Sequence, residues 1–222
     1  KRVLALAMAV ILSVPTIITT GMGTVPVKAA GDTVELTVSS ESAKYAGYET
    51  RKMYAGGNYA YCVQPSKKTP QSGTYEKHYD VENYVSNAGD ETQAVQSRNL
   101  AYYCWGAPGF NASYFPSTWY DGSAMDDDKY IALSHIMLSF LVSYDEVGSM
   151  HGCNSSFKNW VYQNVLGYNA NGDLVNGQAT LPILCWSAAP ASFKVYILST
   201  GSATQNILGY EYTPTGTVSL SK

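Results

Sequence analysis

Polar and apolar positions alternate along Thr33–Val38 and again from Asn58 to Gln64. In the second run Tyr59, Tyr61 and Val63 fall on one side of a strand, and Ala60, Cys62 and Gln64 on the other. Pro65 ends that run because it brings no ladder donor. The period then lengthens. Residues 90–105 read as a helix stopped by the Gly-Ala-Pro-Gly of 106–109, and residues 130–144 as a helix apolar nearly all round, hence buried. A third helix is expected near Ser155–Leu166, with Phe157, Trp160 and Val161 on one face and Gly167 as its stop. From Leu181 strand-like runs return at 181–187, 192–199, 205–213 and 217–221, separated by Pro or Gly turns. Early strands, a helical middle and late strands predict an α+β fold: a β sandwich or barrel with a helical subdomain inserted over about residues 85–170.

A narrow polar stripe crosses the greasy helix at 130–144. His135, Ser139 and Ser143 stand four apart on one face. Buried polar groups need partners, since an unpaired one costs roughly 1–3 kcal/mol. The stripe is therefore either a core histidine satisfied by serines and backbone, or one half of a Cys62–His135 pair in which imidazole activates the thiol. The acidic triplet Asp126–Asp128 directly before this helix reads first as a cap at the positive end of its dipole, and only distantly as a calcium site. The loop between the two long helices carries Phe110, Tyr114, Phe115, Trp119 and Tyr120, candidates either for an exposed recognition surface or for a lid over Cys62. Lys67 and Lys68 read as a solvated loop edge.

Composition narrows the function. Lys and Arg number 14 against 17 Asp and Glu, for a net charge of −3, so nothing favours nucleic acid, which needs a basic face for its phosphates, and no nucleic-acid partner is expected. Tyrosine is used 19 times and phenylalanine 5, a bias that suits recognition surfaces but also suits strands. The first 29 residues have a basic start, an apolar run and Val27–Ala29 as a small-residue cleavage site, so they read as a secretory signal peptide. A mature domain over 30–214 then follows, with 215–222 as the truncated start of a stalk domain. Cys62, Cys104, Cys153 and Cys185 allow two disulfides in three pairings, or buried free thiols. Without a CxxC pair no metal or other cofactor is expected.

Four segments in order, "YCVQPSKKTPQSGTY" (61–75), "LAYYCWGAPG" (100–109), "DDKYIALSHIMLSF" (127–140) and the tail from Phe193, resemble the thioester-domain family of Gram-positive surface adhesins, N-terminal domains carried on Cna-B-like or immunoglobulin-like stalks. The resemblance covers about residues 45–222. It implies a cysteine, here Cys62, that attacks the carboxamide of a glutamine on the central helix, releases ammonia and leaves a thioester open to a host lysine. It also implies a secreted, cell-wall-anchored protein whose partner is a host surface or matrix protein, with no membrane insertion of the mature domain. This chain has His135 where the helix motif of that family has glutamine, and imidazole has no acyl group to give. Three readings follow: a non-covalent adhesin without the usual thioester, a covalent one using another glutamine (Gln93 or Gln96), and a Cys62–His135 acyl-transfer enzyme.

Overall fold

The structure, a computed structural model, describes residues 31–169 and 173–214. Six strands close a barrel: β1 (Thr33–Tyr45), β2 (Tyr48–Ala55), β3 (Asn58–Cys62), β4 (Gly73–His78), β5 (Phe193–Leu198) and β6 (Ile207–Tyr212). Their order around the wall is β1-β2-β3-β6-β5-β4, and every neighbouring pair is antiparallel. Closure leaves no open sheet edge along the paired lengths.

Between β4 and β5 lie the helices: α1 (Glu91–Tyr103), α2 (Asp127–Ser143), α3 (Glu146–Ser149), α4 (Ser155–Val161), which runs on into a π-type turn (Tyr162–Leu166), and α5 (Thr180–Trp186). The acidic triplet acts as a cap: the Asp126 side chain accepts from the Lys129 N–H at 3.0 Å. Along α2 the side chains of Ile131–Ser139 are all buried, and Tyr144 ends the helix in a left-handed conformation.

One expected strand is a helix. Residues 181–187 hold most of α5, because the apolar side chains that find the core, Leu181, Leu184 and Cys185, recur at helical rather than alternating spacing. Pro182 falls in the first turn, where its missing N–H has no intrahelical partner to lose. The signal segment 1–29 and the run 217–221 lie outside the described residues.

Two cores divide at the barrel wall. Inside, Leu36, Met53, Ala55, Ala60, Cys62, Tyr196, Leu198 and Ile207 form a small cluster contributed by five strands. The opposite face of the same strands, with Tyr59, Tyr61, Val63, Phe193, Val195, Ile197, Leu208 and Tyr210, packs beneath the helices in the main core. Strand alternation thus decides which chemistry each residue can meet.

Candidate functional site

β3 carries the cysteine on its last residue. By alternation, and by membership of the inner cluster, the Cys62 side chain enters the barrel, whereas Tyr59, Tyr61 and Val63 face the helices. Cys62 is 2 % exposed. Burial pushes its thiol up to about 12, and the Gln64 backbone N–H opposes that shift.

His135 stands on the outer, helix-side face of this wall. Its ring lies 6.2 Å from that of Tyr59 and 6.0 Å from that of Tyr61, and the Tyr59 hydroxyl is 3.5 Å from Nε2. Burial drives the imidazole down to about 4, and the polar main chain of Cys62 close to the ring acts in the opposite sense. The contact of His135 with Cys62 is therefore to its backbone. Burial raises the thiol and lowers the imidazole, so both groups are held neutral and the ring is poorly matched to the task of a general base. The two serines of the stripe do not serve the imidazole. The Ser139 hydroxyl donates to the His135 carbonyl at 2.6 Å, and that of Ser143 to the carbonyls of Ser139 and Val63.

The chain after Cys62 is held from two sides. From α2 and the turn beyond it, Ser143 reaches the Val63 carbonyl, and the Asp145 carboxylate accepts from the Ser66 N–H (2.9 Å) and hydroxyl (2.7 Å). From the other side comes the segment leading into β6. Cys62 pairs with Ile207 across the sheet, the Val63 N–H donates to the Asn206 carbonyl at 3.2 Å, and the Asn206 N–H donates to the Gln64 side chain at 3.2 Å.

This second segment brings in a residue the sequence pattern did not single out, Gln205. It sits two residues before Ile207, so by alternation it shares the inward side with Cys62 and stands diagonally across from it, the spacing at which long side chains still interact. Gln205 is 6 % exposed. Its Nε2 donates to the Lys67 carbonyl at 2.9 Å, while its buried Oε1 has no partner among the described residues. Gln205 and Met53, a member of the inner cluster beside Cys62, line one small cavity of about 130 Å³ at this end of the barrel. A sequence signal existed: a pair of carboxamides, Gln205 and Asn206, directly before the apolar start of the last strand.

The other expected residues lie elsewhere. Gln93 is buried near the start of α1, where its side-chain amide donates to the Leu141 carbonyl and its oxygen accepts from the Asn87 N–H. Gln96, one turn on, is half-buried. The aromatic loop is mostly core rather than exposed surface. Phe115 and Trp119 are buried; Phe110 and Phe115 pack on Tyr130, and Trp119 and Tyr120 on Phe157. Tyr114 alone of the five is exposed. These rings cover the start of α2 and the face of α4, and none joins the inner cluster that holds Cys62. All four cysteines are buried and unpaired. Among the described residues no group of three or more His, Cys, Asp or Glu side chains is placed to hold a metal ion, and no helix is long and apolar enough to cross a membrane.

A six-stranded barrel whose wall ends on a buried cysteine, braced by an apolar helix, matches the thioester-domain pattern read from the four segments. A family model described as "Thioester domain" matches residues 33–171, more than half of the chain, and the chain belongs to that family. The matched span holds Cys62 and His135; Gln205 lies beyond it, and its place in the site comes from the sheet register. Among solved structures, the N-terminal domain of the Streptococcus pyogenes pilus tip adhesin Cpa is similar at 16% identity over 81% of this chain and 94% of that one, with a TM-score of 0.46. No curated protein matches.

Proposed function

We propose that this domain is a covalent attachment module whose thioester joins Cys62 to Gln205, on the exposed part of a secreted surface protein. The observation that carries the reading is the Gln205 carboxamide: nearly fully buried, its oxygen without a partner among the described residues, and set in the segment that leads into β6, two residues before the Ile207 that pairs with Cys62. An unsatisfied buried oxygen costs roughly 1–3 kcal/mol and calls for an explanation. The Cys62 sulfur attacks Gln205 Cδ, the thiol proton goes to the departing nitrogen, and ammonia leaves. Burial keeps the thiol protonated, so the step depends on proximity rather than on a free thiolate. The product puts no charge in the apolar interior and lies shielded from water, as a stored acyl group requires. A primary amine on a host surface or matrix protein then displaces the sulfur and forms an amide. In this reading His135 is a positioning residue that fixes the end of β3, and its inability to donate an acyl group no longer matters.

Intact-mass measurement of the domain tests this. The folded protein is expected to be lighter than its sequence by one ammonia, to gain methylamine on incubation, and to return to sequence mass in both Cys62→Ala and Gln205→Ala. Full sequence mass in the wild type, with Cys62 titrating as a free thiol after unfolding, contradicts it and favours a non-covalent adhesin.

A further inference from the structure

We infer that the barrel mouth selects its amine by context, taking a lysine side chain that has an acidic neighbour in its own chain. The inference rests on the Cys62–Gln205 thioester and adds the determinants of its partner. The cavity that Gln205 lines holds about 130 Å³, enough for the end of one unbranched chain. Its lining includes one anion and one cation, Glu49 and Arg51. They alternate on β2 together with Met53, which places all three on one face of the strand, with the Cα atoms of the two charged residues roughly 7 Å apart. Among the described residues no ion pair joins them. Arg51 donates to the Ser40 carbonyl, and no described ion pair reaches the Glu49 carboxylate. Both are exposed.

A partner that fits two open opposite charges brings two of its own. The carboxylate of Glu49 receives the incoming ammonium, and the guanidinium fork of Arg51 receives a carboxylate next to that lysine, the geometry for which arginine is best suited. Once the amine has lost its proton to solvent, its nitrogen attacks Gln205 Cδ. A C–N bond forms, the C–S bond breaks, and the second nitrogen proton passes to the Cys62 sulfur. The partner lysine ends as an amide of the Gln205 side chain and Cys62 as a thiol.

Three N-acetylated peptides that differ only in the residue beside a single lysine (Glu, Gln or Arg) are incubated with the wild-type domain, and adduct formation is followed by intact mass. The Glu peptide is expected to add about threefold faster than the Gln peptide, the scale of one exposed ion pair, with the Arg peptide slowest and the spread shrinking in high salt. In Arg51→Gln the Glu-to-Gln rate ratio is expected to fall to about one. Equal rates for the three peptides on the wild type overturn the inference, as does an Arg51→Gln variant that keeps the preference. If the wild type adds neither methylamine nor any peptide, the thioester reading itself has failed and the inference falls with it, which separates the two failures.

Discussion

His135 is held neutral by the barrel wall and the helices around it, and that makes the domain sensitive to acid. Its imidazole sits near 4 in the folded protein against 6.5 for an unperturbed histidine, because burial penalises the charged form. The unfolded chain therefore binds a proton that the folded one refuses. The contribution is complete above pH 6.5, is lost as pH falls from 6.5 toward 4, and amounts to about 3 kcal/mol over that window. Urea unfolding across this range is expected to show the loss in the wild type and to lack most of it in His135→Gln, which cannot titrate; an identical pH dependence in both would contradict the assignment. At this same scale the sequence was only half legible. The alternation along β3 already put Cys62 opposite Tyr59 and Tyr61. What it did not reveal is that α2 packs on the tyrosine side, so that the imidazole meets the cysteine's main chain. Gln205 was legible only as one polar letter in a late strand, because its meaning comes from a neighbour 143 positions away (205 − 62).

Among the elements, strong periodicity survived and mixed patterns did not. α1 and α2 lie where the apolar spacing and the cap signals put them, and β3, β5 and β6 where the short apolar runs did. β2 was not foreseen, because Glu49, Arg51 and Lys52 interrupt its apolar positions: the first two sit at the barrel mouth, and Lys52 reaches outward to Asp128 and Glu41. The sequence of α5 suits a strand as well as a helix, because a short run with two leucines and an isoleucine fits either structure until a core chooses. Tight packing inside the barrel gives a test at this scale. A Cβ on Gly209 would come within 2.4 Å of the Tyr196 ring, which is itself buried in the inner cluster. Gly209→Ala is expected to destabilise the domain by about 1–3 kcal/mol, seen as a lower denaturant midpoint; an unchanged midpoint would mean that the ring has room to move. The bracing between elements is also testable. Asp145→Ala removes both bonds to Ser66 while leaving Cys62 and Gln205 in place. It is expected to speed hydrolysis of the thioester by loosening the loop that follows Cys62, measured as faster recovery of full sequence mass.

For the molecule as a whole, the barrel wall does the sorting. It puts the Cys62 thiol on the inside and the His135 imidazole with Tyr59 and Tyr61 on the outside, and a small polar cavity lined by Gln205 and Met53 is, on this account, the mouth through which an amine enters. The helices, on this account, brace the wall. The aromatic loop belongs to that brace, with Phe115 and Trp119 buried in the main core. The most direct measurement of the central claim is peptide mapping of the unreduced wild-type domain, denatured and digested with pepsin at acid pH so that a thioester survives. The account predicts one covalently joined pair, a fragment containing Cys62 linked to a fragment containing Gln205 with the loss of one ammonia. Recovery of the Cys62 fragment alone, alkylated as a free thiol, or its linkage to Gln93 or Gln96 instead, would contradict it.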